Sequence, residues 1–366
     1  MNATILIIDD EEYHYGIAAE YLKNDNPEYR ILPLAYHGKH ALRTLAKEIP
    51  DIILLDWNMP VMNGIETLQK LKENPQLNNI PVIMITGETQ AERLKEAFSL
   101  GVVDYIEKPY NELELLARVK SALALRKAQK ETEELLLNIL PKDVAEELKT
   151  HQEVIPQSYE QVSVLFTDFK GFSSITQEMS PLEMIQKLAE VFLMIEEIAR
   201  KHHIEKIKTI GDAFMGAGGI PIPNKTNALD AVLAGWEIQQ SIEDYRLAKE
   251  AKGEACFTCR LGIHTGSVVA GVIGHTKFAY DIWGKTVNVA ARMESEGEPG
   301  KVNISGETYR LVKDFFDCEF RGRRPIKNMG EVDMYFVKNI KKELSVMGRG
   351  IEPHESFWLM REKISH

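Results

Sequence analysis

Cysteine is scarce in this chain, at 3 of 366 residues. So few thiols cannot build a disulfide framework, and their rarity suits a reducing compartment. No apolar run approaches the ~18 residues that a membrane-crossing helix requires, so no membrane insertion is expected. Features of an export signal are missing too. Ile5-Leu6-Ile7-Ile8 has no basic residues before it and is cut short by Asp9-Asp10-Glu11-Glu12. Together these absences lead to the expectation of a cytoplasmic chain. Positive charge is also in deficit, with 44 Lys plus Arg against 55 Asp plus Glu, a net charge of −11. A phosphate backbone rewards the opposite sign, so no nucleic-acid partner is expected. What the chain does have is the length for two domains with separate cores, and an ordinary globular composition that excludes a disordered or fibrous protein.

The first third alternates short Ile/Val/Leu runs with amphipathic stretches. Ile5–Ile8, Ile52–Leu55 and Val82–Ile85 read as strands buried on both faces of a parallel sheet, and Tyr15–Lys23, Gly38–Glu48, Ile65–Glu73 and Ala91–Leu100 as helices. The expected fold is a doubly wound α/β domain. Ligands of such sheets gather at the carboxyl ends of the strands. Asp9 and Asp10 end the first strand, Asp56 the third and Thr86 the fourth, and Lys108 follows the fifth. Carboxylates crowded together repel, and a hard cation such as Mg²⁺ relieves that repulsion through oxygen ligands. With the cation bound, Asp56 suits the role of nucleophile toward a phosphoryl donor, Lys108 pairing with the phosphoryl oxygens and Thr86 hydrogen-bonding to them.

These residues stand in the settings Ile-Ile-Asp-Asp, Leu-Leu-Asp-Trp-Asn-Met-Pro, Ile-Thr-Gly and Glu-Lys-Pro-Tyr. Residues 1–124 thereby resemble the receiver domain of two-component response regulators, a flavodoxin-like (βα)5 fold. The resemblance implies phosphorylation of Asp56 by a sensor histidine kinase. It also implies that Asn58 gives a backbone carbonyl to the Mg²⁺ and that Tyr105 is the aromatic switch partner of Thr86.

From Leu113 to Glu147 the pattern is helical, with no Gly and only Pro141. Leu125, Ala128, Thr132, Leu135 and Ile139 alternate spacings of three and four, a short coiled-coil seam. Residues 125–155 are therefore expected to form a dimerising connector between two domains.

The second domain reads as strand Val162–Phe166, helix Pro181–His202, hairpin Glu205–Ile210 with Ala213–Ala217, helix Thr226–Lys249 and an extended run Cys259–Ile273. That order suggests a ferredoxin-like α+β core. Asp168 follows its first strand, and Asp212 sits at the hairpin tip after Gly211. If those strands are neighbours, the two carboxylates lie side by side, as a pair of catalytic metal ions requires. Gly171-Phe172-Ser173 offers backbone N–H groups for phosphates at a helix start. Asn288 and Arg292 are four apart and share one helix face. Gly284-Lys285-Thr286 is not a P-loop, because Ala279 stands where the required Gly would be.

Residues 156–340 resemble the class III nucleotide cyclases, through Phe-Thr-Asp-Phe-Lys-Gly-Phe-Ser, Lys-Thr-Ile-Gly-Asp and Tyr-Asp-Ile-Trp-Gly-Lys-Thr-Val-Asn-Val-Ala-Ala-Arg. Asn138-Ile139-Leu140-Pro141 is similar to the segment preceding the catalytic core in that family. The resemblance implies a head-to-tail homodimer with active sites at the interface and two Mg²⁺ or Mn²⁺ ions per site. Asp168, Asp212 and the Phe169 carbonyl of one protomer would hold the metals. Lys208, Asp281, Asn288 and Arg292 would come from the other. Lys only donates and ionised Asp only accepts, which complements the N1 acceptor and N6 donor of adenine and mismatches guanine. Each mismatch costs about 1–3 kcal/mol, so ATP is the expected substrate and cyclic AMP the expected product. A guanylate cyclase of the same architecture, or a non-catalytic scaffold, is the alternative. One departure stands out: Met329, in Lys327-Asn328-Met329-Gly330, replaces a phosphate-binding Lys of the family. Residues 341–366 exceed what the core needs and receive no role. Cys256 and Cys259 have the spacing of a zinc pair but no second pair, and the alternation of Phe257, Cys259, Leu261 and Ile263 reads as core packing.

Overall fold

The computed structural model describes residues 2–87, 91–171, 180–254, 256–274, 278–326 and 330–365. It divides into two compact units, Met1–Leu136 and Leu137–His366.

In the first unit five strands form a parallel sheet in the order β2-β1-β3-β4-β5, with β1 Thr4–Ile8, β2 Arg30–Ile31, β3 Ile52–Asp56, β4 Val82–Thr86 and β5 Asp104–Glu107. The apolar runs serve both faces by turns. Leu6, Ile8 and Leu55 pack under α2 (Gly38–Leu45) and α3 (Gly64–Glu73), while Ile5, Ile7 and Leu54 pack against α1 (Glu12–Asp25) and α5 (Glu112–Leu137). The remaining helix, α4, spans Ala91–Ser99. A capping box of Asn63 and Glu66 starts α3. Gly64 lets that start press onto the end of β3, where a Cβ would lie 2.4 Å from the Asp56 carbonyl oxygen.

The helix expected to run unbroken from Leu113 to Glu147 does not. It stops at Leu137, and a new helix, α6, runs Lys142–His151 in the second unit. Pro141 explains the break, since it has no N–H to donate and biases Leu140 away from helical geometry. Ile139 of the expected seam falls in this break, outside both helices, while Leu125 and Leu135 lie exposed on α5.

The second unit is built on one long sheet. Its strands are β6 (Gln157–Lys170), β7 (Ile204–Ile210), β8 (Ala213–Gly218), β9 (Thr258–Ile273), β10 (Ala279–Trp283), β11 (Val302–Ser305), β12 (Phe316–Ile326) and β13 (Gly330–Ile340). Among the described residues the order is β12-β13-β11-β9-β6-β8-β7, with β10 paired to β9. The portion β9-β6-β8-β7, with α7 (Pro181–Lys201) and α8 (Asn227–Glu250) connecting it, is the expected ferredoxin-like core. Both helices cover one face, against Leu165, Phe169, Leu261 and Ile263. The opposite face carries α9 (Lys285–Ser295), seated so closely on β9 that a Cβ at Gly262 would lie 1.9 Å from the Glu294 amide nitrogen. A short helix, α10 (Gly306–Val312), follows β11.

The tail contradicts its reading as surplus. In α11 (Glu355–Ser365), Phe357 is fully buried against Phe315 and Phe316, and Arg361 donates to both carboxylate oxygens of buried Asp230. The helical layer of the cyclase-like core is closed by these last residues.

Candidate functional site

Parallel pairing of β1, β3 and β4 gathers the first unit's polar residues at one sheet edge. Carboxylate oxygens of Asp9, Asp10 and Asp56 lie within 4.8 Å of one another. Lys108 Nζ donates to Asp9 Oδ2 at 2.8 Å and lies 2.6 Å from Asp56 Oδ1, and the Asn58 amide donates to Asp56 Oδ2 at 3.0 Å. Burial pushes the Asp56 carboxyl up to about 6, with Lys108 opposing and Asp9 and Asp10 adding to the rise. Three oxygen donors, two of them buried and crowded by like charge, fit a hard divalent cation. Thr86 is buried at the end of β4. Tyr105 pairs in register with Met84 rather than Thr86, its ring edge-on to Phe98 at 6.2 Å and under the Arg118 guanidinium at 5.7 Å.

Sequence reasoning missed His14, whose Nδ1 lies 2.9 Å from Lys108 Nζ. Its only signal is a place one helical turn beyond Asp10, which many side chains occupy without consequence.

In the second unit β6 and β8 are antiparallel neighbours, paired as far as Thr167 with Phe214. The turn bearing Gly211, at φ 64°, and Asp212 therefore continues alongside Asp168 and Phe169. Burial raises the Asp212 carboxyl above its usual range, and the charge of Asp168 contributes. Two further residues join them. Arg260, directly across from Asp168 on β9, donates from Nη2 to Asp168 Oδ2 at 2.5 Å. Its Nε lies 2.9 Å from Glu294 Oε1. Burial pushes the Glu294 carboxyl up to about 7; Arg260 opposes, and Asp168 and Asp212 add to the rise. Asp168 and Asp212 bring the carboxylate oxygens that hard divalent cations take, while Arg260 holds Asp168 and Glu294. Neither Arg260 nor Glu294 was singled out from sequence. Arg260 alternates with buried Cys259 and Leu261 and so faces the other side of the strand, but its partner depends on cross-strand register.

Lys208 on β7 and Asp281 on β10 meet, Nζ to Oδ2, at 2.5 Å. The other Asp281 oxygen accepts from the Ile282 amide at 2.9 Å, which orients the carboxylate. Asn288 and Arg292 share the exposed face of α9. Among the described residues neither side chain makes a hydrogen bond or ion pair, and none joins the Asp168 group to the Lys208 group. Gly171 has φ 75°, whereas Phe172 and Ser173, expected to cradle phosphate, lie outside the described residues, as do Lys327 and Met329. Cys259 is buried in the core and Cys256 half-buried, both with free thiols. Among the described residues no helix is long and apolar enough to cross a membrane.

Comparison with known proteins agrees with this architecture. Residues 154–339 match the family model of the adenylate and guanylate cyclase catalytic domain, and residues 5–120 that of the response regulator receiver domain. Retinal guanylyl cyclase 2 of Rattus norvegicus is 31% identical over 74% of this chain and 25% of its own length. Guanylate cyclase soluble subunit beta-2 of Rattus norvegicus is 34% identical over 79% of this chain and 42% of its own. The chain thus spans less than half the length of these relatives. Among solved structures, the guanylate cyclase domain of RhGC from Catenaria anguillulae in complex with GTP is 33% identical, with a TM-score of 0.48, and covers 50% of this chain and 100% of its own. The adenylyl cyclase CyaB from P. aeruginosa is 30% identical, with a TM-score of 0.49, over 52% of this chain and 100% of its own. This chain belongs to the adenylate and guanylate cyclase catalytic domain family and carries a response regulator receiver domain ahead of that catalytic domain.

Proposed function

We propose that the protein is an adenylate cyclase that converts ATP to 3′,5′-cyclic AMP and pyrophosphate under the control of phosphorylation at Asp56. The observation that carries the choice of base is the contact between Lys208 and Asp281. An ammonium with three hydrogens and a carboxylate with two oxygens can keep each other and still offer one donor and one acceptor side by side. Adenine presents the complementary pair at N1 and N6. Guanine would leave both side chains facing groups of the wrong kind.

The reaction joins the ribose 3′-oxygen to the α-phosphorus as the α–β phosphoanhydride bond breaks and the 3′-hydroxyl proton leaves. Asp168, Asp212 and the Phe169 carbonyl would hold Mg²⁺ or Mn²⁺, which would supply Lewis acidity toward the hydroxyl and the triphosphate. Arg292 meets charge developing on the α-phosphate, a transition-state interaction. Asn288 orients the ribose. Both side chains are exposed and unpartnered among the described residues, which supports a head-to-tail homodimer in which they serve the carboxylates of the other protomer. In the receiver, Asp9, Asp10, Asp56 and the Asn58 carbonyl would hold Mg²⁺, which would neutralise charge as Asp56 accepts a phosphoryl group from a sensor histidine kinase.

A guanylate cyclase is the second reading, favoured by the guanylyl cyclases among the relatives. Paired initial rates with ATP and GTP, in Mg²⁺ and in Mn²⁺, decide between them. Cyclic GMP as the dominant product in both metals would overturn the adenine assignment.

A further inference from the structure

Lys108 has a third partner that the phosphoacceptor reading leaves unused. His14, in the first turn of α1, places Nδ1 2.9 Å from Lys108 Nζ. An ammonium carries three hydrogens and no lone pair, so in this contact the imidazole nitrogen accepts, with the ring's own hydrogen on Nε2; Glu11 Oε2 and Asp9 Oδ1 lie farther from the same nitrogen, at 3.4 and 3.5 Å. With Asp9 Oδ2 at 2.8 Å and Asp56 Oδ1 at 2.6 Å, all three Lys108 hydrogens have acceptors. The acceptor is itself held. The Tyr110 hydroxyl donates to the His14 carbonyl oxygen at 3.1 Å, so the segment that carries the ammonium also grips the helical turn that carries its partner.

We infer that His14 is a positioning residue for phosphorylation of Asp56. By taking one Lys108 hydrogen it fixes the rotation of the ammonium about its last bond. The hydrogen facing the Asp56 carboxylate in the resting receiver then faces the incoming phosphoryl group. This rests on Asp56 being the phosphoacceptor. With acetyl phosphate as donor, an Asp56 carboxylate oxygen forms the bond to phosphorus, the bridging P–O bond of the donor breaks, and acetate leaves with the electron pair. One Lys108 N–H passes from the carboxylate to a phosphoryl oxygen, while Asp9 and His14 keep the other two. No proton moves to or from His14. Without it the ammonium has one fixed anchor instead of two, and orientation that was built in must be found during transfer.

The test uses the full chain in Mg²⁺, titrated with beryllofluoride and followed through the fluorescence of Trp57, which adjoins Asp56 and is 7% exposed. Phosphoryl uptake from labelled acetyl phosphate is measured in parallel. His14→Ala should weaken beryllofluoride binding and slow uptake about tenfold, the worth of one hydrogen bond to a charged group at the lower end of its range. Its unfolding midpoint should match the wild type. His14→Gln, whose carbonyl oxygen can accept from Lys108, should recover most of the loss. If His14→Ala titrates like the wild type, or His14→Gln does no better than His14→Ala, the positioning role is overturned. A wild-type chain that takes up no phosphoryl and whose Trp57 ignores beryllofluoride would overturn the phosphoacceptor reading and this inference with it. A normal wild-type response alongside indifferent His14 variants would sink this inference alone.

Discussion

The two sites differ in how far a single chain completes them. At the receiver edge Lys108 already has acceptors for each hydrogen, and the Asp9 and Asp56 carboxylates are held by it and by backbone amides. On the cyclase-like unit Arg260 restrains Asp168, but Asn288 and Arg292 project without partners among the described residues. The contrast teaches that a charged group with every bond made is poised for one exchange, while exposed, unspent groups signal a surface that is to be met. We read the first site as self-contained and the second as half of a shared one.

The sharpest way to break that contrast is complementation. Asp168→Ala and Arg292→Ala should each lower cyclase turnover by roughly 10²–10³-fold. Mixing the two variants should restore roughly a quarter of wild-type turnover, because half of randomly formed dimers carry one intact site of two. Mixtures no more active than their components would show that each chain works alone. The matching experiment on the receiver, Asp56→Asn mixed with Lys108→Ala, should restore no phosphoryl uptake.

Base choice comes next in expected size. Lys208→Glu with Asp281→Ser exchanges donor for acceptor, and should shift the ratio of kcat/KM for ATP over GTP by roughly ten- to a thousandfold toward GTP. An unchanged ratio would remove the Lys208–Asp281 pair from base recognition.

Stability tests compare the units in another way. Phe357→Ala should destabilise the cyclase-like unit by about 3–5 kcal/mol through the cavity it leaves. Arg361→Met should do so by about 3 kcal/mol, because it strands the buried Asp230 carboxylate. Calorimetry should show the receiver transition unmoved in both, and a loss shared by both transitions would mean that the tail is not specific to the second unit.

The smallest expected effect is on pH dependence. Burial lowers the His264 imidazole to about 4, with Glu307 opposing and Lys285 adding to the fall, while Nδ1 bonds the Ser305 hydroxyl at 2.7 Å. The unfolded chain takes up this proton below about 6.5 and the folded one does not. The stabilisation is therefore complete above about 6.5 and lost as pH falls toward about 4. In His264→Gln the melting temperature of the cyclase-like unit should fall less steeply over that interval. Parallel slopes would count against His264 as the source.

Much of this was open to reading from the chain alone. Asp9, Asp56 and Lys108 end or follow apolar runs whose meaning is local, so strand order alone gathers them. Asp168 and Asp212 were legible on the condition that β6 and β8 be neighbours. Arg260, Glu294 and His14 were not, because each earns its place through a partner 92, 34 or 94 residues away. The tail was misjudged because Phe357 acquires meaning only against Phe315 and Phe316.

Periodicity and turn chemistry act over a few residues, and they settled the strands and most of the helices. Tertiary structure decided which side chains touch: the register that sets Arg260 across from Asp168, the turn that presents His14 to Lys108 and the docking of α11. Side-chain bonds reach only about 3 Å, so they depend on how distant segments pack together, and no short window of sequence carries that information.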